Sequence, residues 1–173
     1  MNTFLSIPGK IYDRLGSHVL KSDLEGAAFA YAKPKVTTDS LIFELLDWDP
    51  VNEDGFESRS EYHLSLSDNM RAHIIKRAHD LQASLVEFHS HSGNLPAKFS
   101  YSDFCGFKEF VPHVLWRLSG KPYIAIVFNQ TGFDGLIWLE DPEGPEQLEG
   151  IIVDGTVLQS TKLTLQKGID YEF

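Results

Sequence analysis

Glu87-Phe-His-Ser-His91, followed by Ser100-Tyr-Ser-Asp103, is the stretch that says most about the fold and the chemistry of this chain. His89 and His91 are two residues apart, and alternate side chains of a β-strand point to the same face. Asp103 lies in the first turn of a predicted helix that follows the strand after a short loop with Gly and Pro. A strand end packed beside that helix start can therefore present two imidazoles and one carboxylate to a single point.

These side chains match a known kind of metal site. Two histidines and one aspartate can bind zinc by three bonds and leave a fourth position for water, as in catalytic zinc sites. We therefore predict that His89, His91 and Asp103 are zinc ligands. Hydrolysis also needs a group that takes a proton from water, and Glu25, at the start of a predicted strand, is the candidate. Ser100 is the candidate donor to the oxyanion that develops on an attacked carbonyl.

Each of these motifs also has a purely structural explanation. Ser100-x-x-Asp103 is typical of a helix start, where a hydroxyl caps the helix and an acid occupies its first turn. Capping and metal binding are compatible, because Ser100 can cap while Asp103 faces the metal. A His-x-His pair at a strand end is by itself most often a surface or core feature. The conjunction of both motifs with an upstream glutamate favours the metal site.

The composition is that of a soluble globular protein. The chain has 173 residues, of which 42% are hydrophobic and 23% are charged, and this length suits a single domain. The formal net charge is −10, which argues against nucleic acid as the main partner, because phosphate binding rests on clustered Lys and Arg. Cys105 is the single cysteine, so neither an internal disulfide nor a zinc–thiolate cluster can form.

The sequence predicts a cytoplasmic protein without a membrane partner. The first residues lack the basic and apolar regions of a signal peptide. The longest apolar runs, such as 123–128, are too short to span a bilayer.

Hydrophobic periodicity predicts a mixed sheet flanked by helices, an α/β or α+β arrangement. Pro34 is expected in the turn between the first two strands, and residues 48–60 are expected to form a long exposed loop. The predicted helices cover 7–21, 68–83 and 101–118. The predicted strands cover 26–32, 38–47, 62–66, 84–89, 123–129 and 136–140, with two or three more in 147–173.

Three other residues invite an expectation. Glu87 shares the parity of His89 and could hydrogen-bond a ligand imidazole, although an ordinary strand carboxylate is the simpler interpretation. Cys105 is expected in the apolar core, with an approach to the metal region as the alternative. Trp116 is also expected in the core.

The ordered set of Glu25, His89-Ser-His91 and Ser100-x-x-Asp103 resembles the JAMM signature of the JAB/MPN zinc metalloproteases. The stretches Leu24–Tyr31 and Lys121–Phe128 also stand in that family's order. The likeness covers roughly residues 1–140 and resembles the prokaryotic single-domain members.

The resemblance implies one domain over 1–173, with its core in about 1–140 and C-terminal strands in 147–173. The implied fold is a cytidine-deaminase-like α-β-α sandwich with a mixed central sheet. The implied activity is hydrolysis of a peptide or isopeptide bond after the C-terminal glycine of ubiquitin or a ubiquitin-like protein. In that case His89, His91 and Asp103 bind Zn²⁺, Glu25 is the acid/base, and Ser100 supports the tetrahedral intermediate.

The resemblance also places the loop 48–60 where family members carry an insertion that grips the substrate tail. Conjugation-pathway enzymes are further expected partners. Two alternatives stay open: a non-catalytic scaffold of the same fold, and a zinc hydrolase or deaminase that acts on a small molecule.

Overall fold

The computed structural model describes residues 1–166. The strands are β1 (Asn2–Ile7), β2 (Ala27–Val36), β3 (Ser40–Pro50), β4 (Phe56–Arg59), β5 (Leu64–Leu66), β6 (Ser84–Ser90), β7 (Tyr123–Asn129), β8 (Gly132–Trp138), β9 (Glu146–Gln147), β10 (Gly150–Val153) and β11 (Thr156–Gln159). The helices are α1 (Gly9–Val19), α2 (Asp68–Asp80), α3 (Tyr101–Arg117) and α4 (Leu163–Gln166), with a 3-10 turn at Glu53–Gly55.

Nine of the strands within residues 1–166 form one mixed sheet in the order β11-β10-β1-β3-β2-β6-β7-β8-β9. β1 runs parallel to β3 and β10, and β6 runs parallel to β7, while the other neighbours are antiparallel. β4 and β5 form a separate antiparallel pair. The predicted combination of a mixed sheet with flanking helices is confirmed at this level.

Helices cover both faces of the sheet, because alternate residues of its central strands are apolar on both sides. Phe29, Leu85 and Tyr123 belong to the core that packs against α2 and α3. Ala28 and Val86 belong to the core on the opposite face, which contains buried residues of α1. Since side chains alternate along a strand, His89 points toward α2 and α3, as Leu85 does.

Two sequence predictions about the first strands are wrong. β1 is absent from the prediction because Ser6 and Pro8 resemble a helix start, which obscures the alternation of the buried Thr3, Leu5 and Ile7. Pro34 is not in a turn but inside β2, opposite Phe43 of β3. The pairing of β2 with β6 ends at Ala32, so this part of β2 has one unpaired edge, where a residue without an N–H is tolerated.

The predicted exposed loop 48–60 is also largely wrong. β3 continues to Pro50, and the 3-10 turn and β4 occupy most of the remainder. The polar, turn-rich composition hid a short hairpin whose second strand is β5.

The C-terminal strands belong to the main sheet, because β10 pairs with β1. The structure has β9, β10, β11 and α4 between 146 and 166, and the rest of the predicted 147–173 region, from 167 on, lies outside the described residues. Among the described helices, none is both long and apolar enough to cross a membrane.

Candidate metal centre

Three predicted ligands meet at the end of β6. His89 is the last residue but one of that strand, and His91 follows the strand. Asp103 lies in the first turn of α3. His89 Nε2 is 3.2 Å from Asp103 Oδ1, and His91 Nε2 is 3.1 Å from Asp103 Oδ2. One ligand atom from each of the three residues lies within 4.8 Å of the others. Donors about 2.0–2.1 Å from a tetrahedral zinc are about 3.3–3.4 Å apart, so the spacing suits a metal ion.

The hydrogen bonds of His89 leave one ring nitrogen for a ligand. Its Nδ1 is 3.0 Å from Oε1 of Glu87, and a carboxylate can only accept, so Nδ1 carries the proton. Nε2 is buried and has no hydrogen-bond partner in the described part of the chain, although Asp103 is near. A buried nitrogen without a partner is costly, and a metal ion would satisfy it. The site therefore fits a cation.

Glu87 is more than an ordinary strand carboxylate. Besides the contact with His89, its second oxygen accepts a hydrogen bond from the hydroxyl of the fully buried Tyr123. Burial and the neighbouring Glu87 raise the pKa of Tyr123 well above its usual value, so the phenol stays a donor. This chain of contacts fixes the orientation of the His89 ring, which is the usual function of a carboxylate behind a metal-binding histidine.

The start of α3 has the capping geometry that the sequence predicts. Ser100 Oγ accepts from the backbone N–H of Asp103 at 3.2 Å, and Asp103 Oδ2 accepts from the N–H of Ser100 at 2.7 Å. The hydroxyl of Ser100 also donates to Oδ2 at 2.9 Å. These bonds hold the Asp103 carboxylate in place beside the histidines. The Ser100 hydroxyl is therefore already engaged, although it is the group that would donate to an oxyanion.

The charges of the site depend on one another. Burial by itself would lower the pKa of His89, but Asp103 and Glu87 outweigh it and raise the pKa well above the usual value. Burial by itself would raise the pKa of Asp103, but His89 and His91 together hold it well below its usual range. Without a metal, the site is therefore an ion pair of imidazolium and carboxylate. A metal ion must displace the proton of His89 to bind there.

Glu25 faces the same point from another strand. Its Oε1 is 3.8 Å from His91 Nε2, and only 5% of the residue is exposed. Burial raises the pKa of Glu25 to about 7; the two histidines oppose this shift, and the Asp103 and Glu87 carboxylates add to it. Glu25 precedes β2 rather than beginning it. The structure thus brings together all five residues that the sequence singled out, since Ser100 contacts Asp103.

Backbone contacts hold Glu25 from two sides. Its N–H donates to the carbonyl of Ser60 at 2.9 Å, and its carbonyl accepts from Nε of Arg59 at 2.7 Å. Arg59 has only 8% of its side chain exposed, pairs with Glu53 and lies over the ring of Phe56. The hairpin that contains β4 and β5 therefore positions the candidate base.

A second set of contacts ties Glu25 to the histidine strand. The N–H of Gly26 donates to Ser90 Oγ at 2.8 Å, and the N–H of Ser90 donates to the carbonyl of Gly26 at 3.0 Å. A Cβ at Gly26 would lie 2.5 Å from the carbonyl oxygen of Val19, so a larger residue cannot fit without a shift. Sequence reasoning missed Arg59, Ser90 and Gly26, because none belongs to a motif with a recognisable spacing.

A groove of about 510 Å³ leads to the site between β5 and α3. Its lining includes Leu64 and Leu66 of β5, Phe107 and Phe110 of α3, and Glu25 and His89 of the candidate site. Cys105 is exposed and lines this groove, so the prediction of a core cysteine is wrong and the alternative, near the metal region, holds.

Trp116 is 73% exposed, so its predicted place in the core is wrong as well. Both errors have one cause. The apolar stripe of α3 consists of residues such as Phe107, Val111 and Val114, and positions 105 and 116 lie off it.

Comparison of the chain with models of known protein families gives no match, and comparison with curated protein sequences gives none either.

Proposed function

We propose that this protein is a zinc-dependent peptidase or isopeptidase of the JAMM type, with a JAB/MPN fold, that cleaves after the C-terminal glycine of a ubiquitin-like protein. The observation that carries the proposal is the convergence of His89, His91, Asp103 and Glu25 at one point. Two of these residues lie at one strand end, one lies at a helix start, and Glu25 lies two residues before another strand.

Zinc is the metal that suits the donors. Two imidazoles and one carboxylate are typical of catalytic zinc sites, where three protein ligands leave a position free. The buried Nε2 of His89 and the Nε2 of His91, whose side chain is partly exposed, would provide the two nitrogen donors. Bound zinc would supply a Lewis acid and lower the pKa of a water molecule to about 7.

The protein's own residues would do the proton transfer and the positioning. Glu25 takes a proton from the attacking water and passes it to the amine that leaves when the C–N bond breaks. Burial and a raised pKa suit a carboxylate for this exchange near neutral pH. Ser100 would donate to the oxyanion only after its hydroxyl turns from Asp103 Oδ2, to which it donates.

The groove supports a chain-like substrate over a small molecule. It follows α3 from Asp103 to His113, a distance of about 15 Å at 1.5 Å per residue. An extended peptide of four or five residues has that length. The apolar walls and the gap in side chains at Gly106 suit a narrow peptide better than a bulky ring.

The test compares cleavage of a ubiquitin-like protein fused through its C-terminal glycine to a fluorescent reporter. We expect zinc-loaded wild type to cleave, Glu25→Gln to be about 10²–10⁴-fold slower, and chelated protein to be inactive. Glu25→Gln should still bind one zinc ion per chain, because Glu25 is not a ligand. Glu143→Gln is the matched control, since Glu143 is an exposed glutamate that does not line the groove. Equal cleavage by wild type, Glu25→Gln and chelated protein would refute the proposal.

A further inference from the structure

A basic cleft lies between α2 and α3, on a protein whose overall charge is −10. We use the name basic cleft for the surface formed by Arg71, Ala72, Ile75 and Lys76 of α2 with His113 and Arg117 of α3, together with Asp68. On α2 these positions recur at intervals of three and four, so they share one face of the helix.

The cations of this cleft outnumber the acids that contact them. Asp68 is its single acid and pairs with Arg71 at 3.1 Å. Lys76 contacts Asp80, but its side chain is 76% exposed, and exposed pairs within one helix contribute little. Arg117 is exposed and has no ion pair among residues 1–166. The cleft therefore attracts negative charge, although the protein as a whole carries a net charge of −10.

The basic cleft continues the groove that leads to the metal centre. Arg71 and His113 line both of them. The face of α3 that begins at Asp103 passes Gly106, Phe110 and His113 and reaches Arg117. A segment that occupies the groove is therefore directed onto the cleft.

We propose that the basic cleft binds an acidic segment of the substrate protein, about six residues from the bond that is cleaved. The fourteen positions from Asp103 to Arg117 span about 21 Å along α3, which an extended chain covers in about six residues. Carboxylates at that distance would meet Arg71, Lys76 and Arg117. This proposal rests on the proposed function for the position of the bond, while the binding itself can be measured without cleavage.

Charge is the reason for choosing an acidic occupant. A basic segment would face three cations and gain nothing from Asp68, which is already paired. An apolar segment would find only Ala72 and Ile75 among the lining residues. Opposite charge also speeds encounter and makes it dependent on salt.

The test uses zinc-loaded protein with Glu25→Gln, so that peptides bind without being cut. Fluorescent peptides have a central Gly-Gly and three glutamates about six residues away, on one side or the other; matched peptides have glutamines or lysines instead. We expect one glutamate peptide to bind about tenfold more tightly than its glutamine counterpart at low salt, and the lysine peptide most weakly. Higher salt should reduce the difference.

Two variants assign the binding to the cleft. The double change Lys76→Glu with Arg117→Glu should abolish the preference for glutamate. Lys108→Glu is the matched control, because Lys108 is an exposed cation of the same helix that lines neither the groove nor the cleft. Lys108→Glu should change the affinity for the glutamate peptide less than about twofold. Because Lys76, Lys108 and Arg117 are all exposed, none of these changes should unfold the protein.

The outcomes separate this inference from the proposed function. If no glutamate peptide binds better than its glutamine match, or if the double variant binds it as well as the control, the acidic docking site is refuted, whatever the enzyme cleaves. If the preference depends on the cleft but wild type with zinc cuts none of the peptides or fusions, the docking site stands and the proposed function fails.

Discussion

Two carboxylates, Asp134 and Asp103, are both withdrawn from solvent, but only one of them has its bonding satisfied by the chain. Asp134 is fully buried in β8, close to the turn that joins β7 to β8, and both of its oxygens accept hydrogen bonds. The donors are the N–H groups of Gly135, Lys162 and Thr164, the hydroxyl of Thr164 and the amide of Gln147. Asp103 accepts hydrogen bonds from Ser100 and otherwise faces two imidazoles.

The difference separates a structural carboxylate from one prepared for a ligand. Asp134 joins the C-terminal segment to the loop before α3, because Thr164 also accepts from the N–H of Phe99. Its neighbours are neutral donors with fixed positions. The neighbours of Asp103 include a buried nitrogen without a hydrogen bond and a second carboxylate, Glu25. A cation between these groups would satisfy the nitrogen and balance the two carboxylates.

Replacement of each aspartate by asparagine should give the largest difference between the two positions. Asp103→Asn removes the anionic ligand, so zinc affinity should fall at least about a hundredfold and activity should become undetectable. Competition with a chromophoric chelator measures the affinity, and the reporter fusion measures the activity. Asp134→Asn is the control and should leave zinc affinity within about threefold of wild type. Equal losses in the two variants would contradict the assignment of Asp103 as a ligand.

Asp134→Asn should instead lower the free energy of unfolding, by about 2–4 kcal/mol. The amide group of asparagine directs hydrogens at N–H groups that have been donating to a carboxylate, so buried donors lose their acceptor. Urea unfolding of the two metal-free variants measures the effect. Asp103→Asn should also destabilise the metal-free protein, because it removes the carboxylate that pairs with His89, but by less, since Asp134 accepts from more donors. A larger loss for Asp103→Asn would overturn the structural reading of Asp134.

Metal binding should release protons near pH 7. The raised pKa of His89 means that this residue is protonated without metal, and Nε2 must be free to coordinate. We therefore expect zinc affinity to fall up to about tenfold for each pH unit below neutrality. Calorimetry in two buffers with different ionisation enthalpies should give different apparent enthalpies of binding. Identical values would show that no proton leaves.

A change at Arg59 tests how the position of Glu25, the candidate base, is held. Arg59→Met keeps an apolar stem of similar reach but removes the donor to the carbonyl of Glu25. We expect kcat to fall about tenfold with KM and zinc content unchanged, because only the position of the carboxylate is disturbed. In the Glu25→Gln background the same change should cause no further loss. An independent loss in that background would assign Arg59 a purely structural role.

The smallest effect concerns the stability of the metal-free protein. Burial raises the pKa of Glu25 to about 7, above that of an unfolded glutamate, so the folded state binds its proton more tightly. As pH rises from about 4.5 through 7, the wild type must ionise this buried group and loses stability. Glu25→Gln should therefore be about 1–2 kcal/mol more stable than wild type at pH 8 and nearly equal to it at pH 4.5. Thermal unfolding at both pH values measures this difference, and a constant difference would contradict it.

Much of the site follows from local sequence rules. The parity of Glu87, His89 and His91 places them on one face of β6. The Ser-x-x-Asp pattern predicts the start of α3 and its capping box, which the structure contains. Such features depend on residues a few positions apart, so backbone geometry decides them. The short strand β1 escaped prediction, because its partners β3 and β10 lie far along the chain. β4 escaped as well, because its polar residues resemble a loop, whereas β5 lies within the predicted strand 62–66.

The sequence by itself determined two local features. Two histidines lie two residues apart at a strand end, and an aspartate lies in the capped first turn of the helix that follows. The tertiary structure decided that Glu25 meets them, through the bonds of Gly26 with Ser90 and of Arg59 with the Glu25 carbonyl. It also decided that Cys105 faces a groove and that Trp116 faces solvent. These outcomes depend on how helices pack on the sheet and on contacts between residues more than thirty positions apart. Local sequence patterns do not determine either of them.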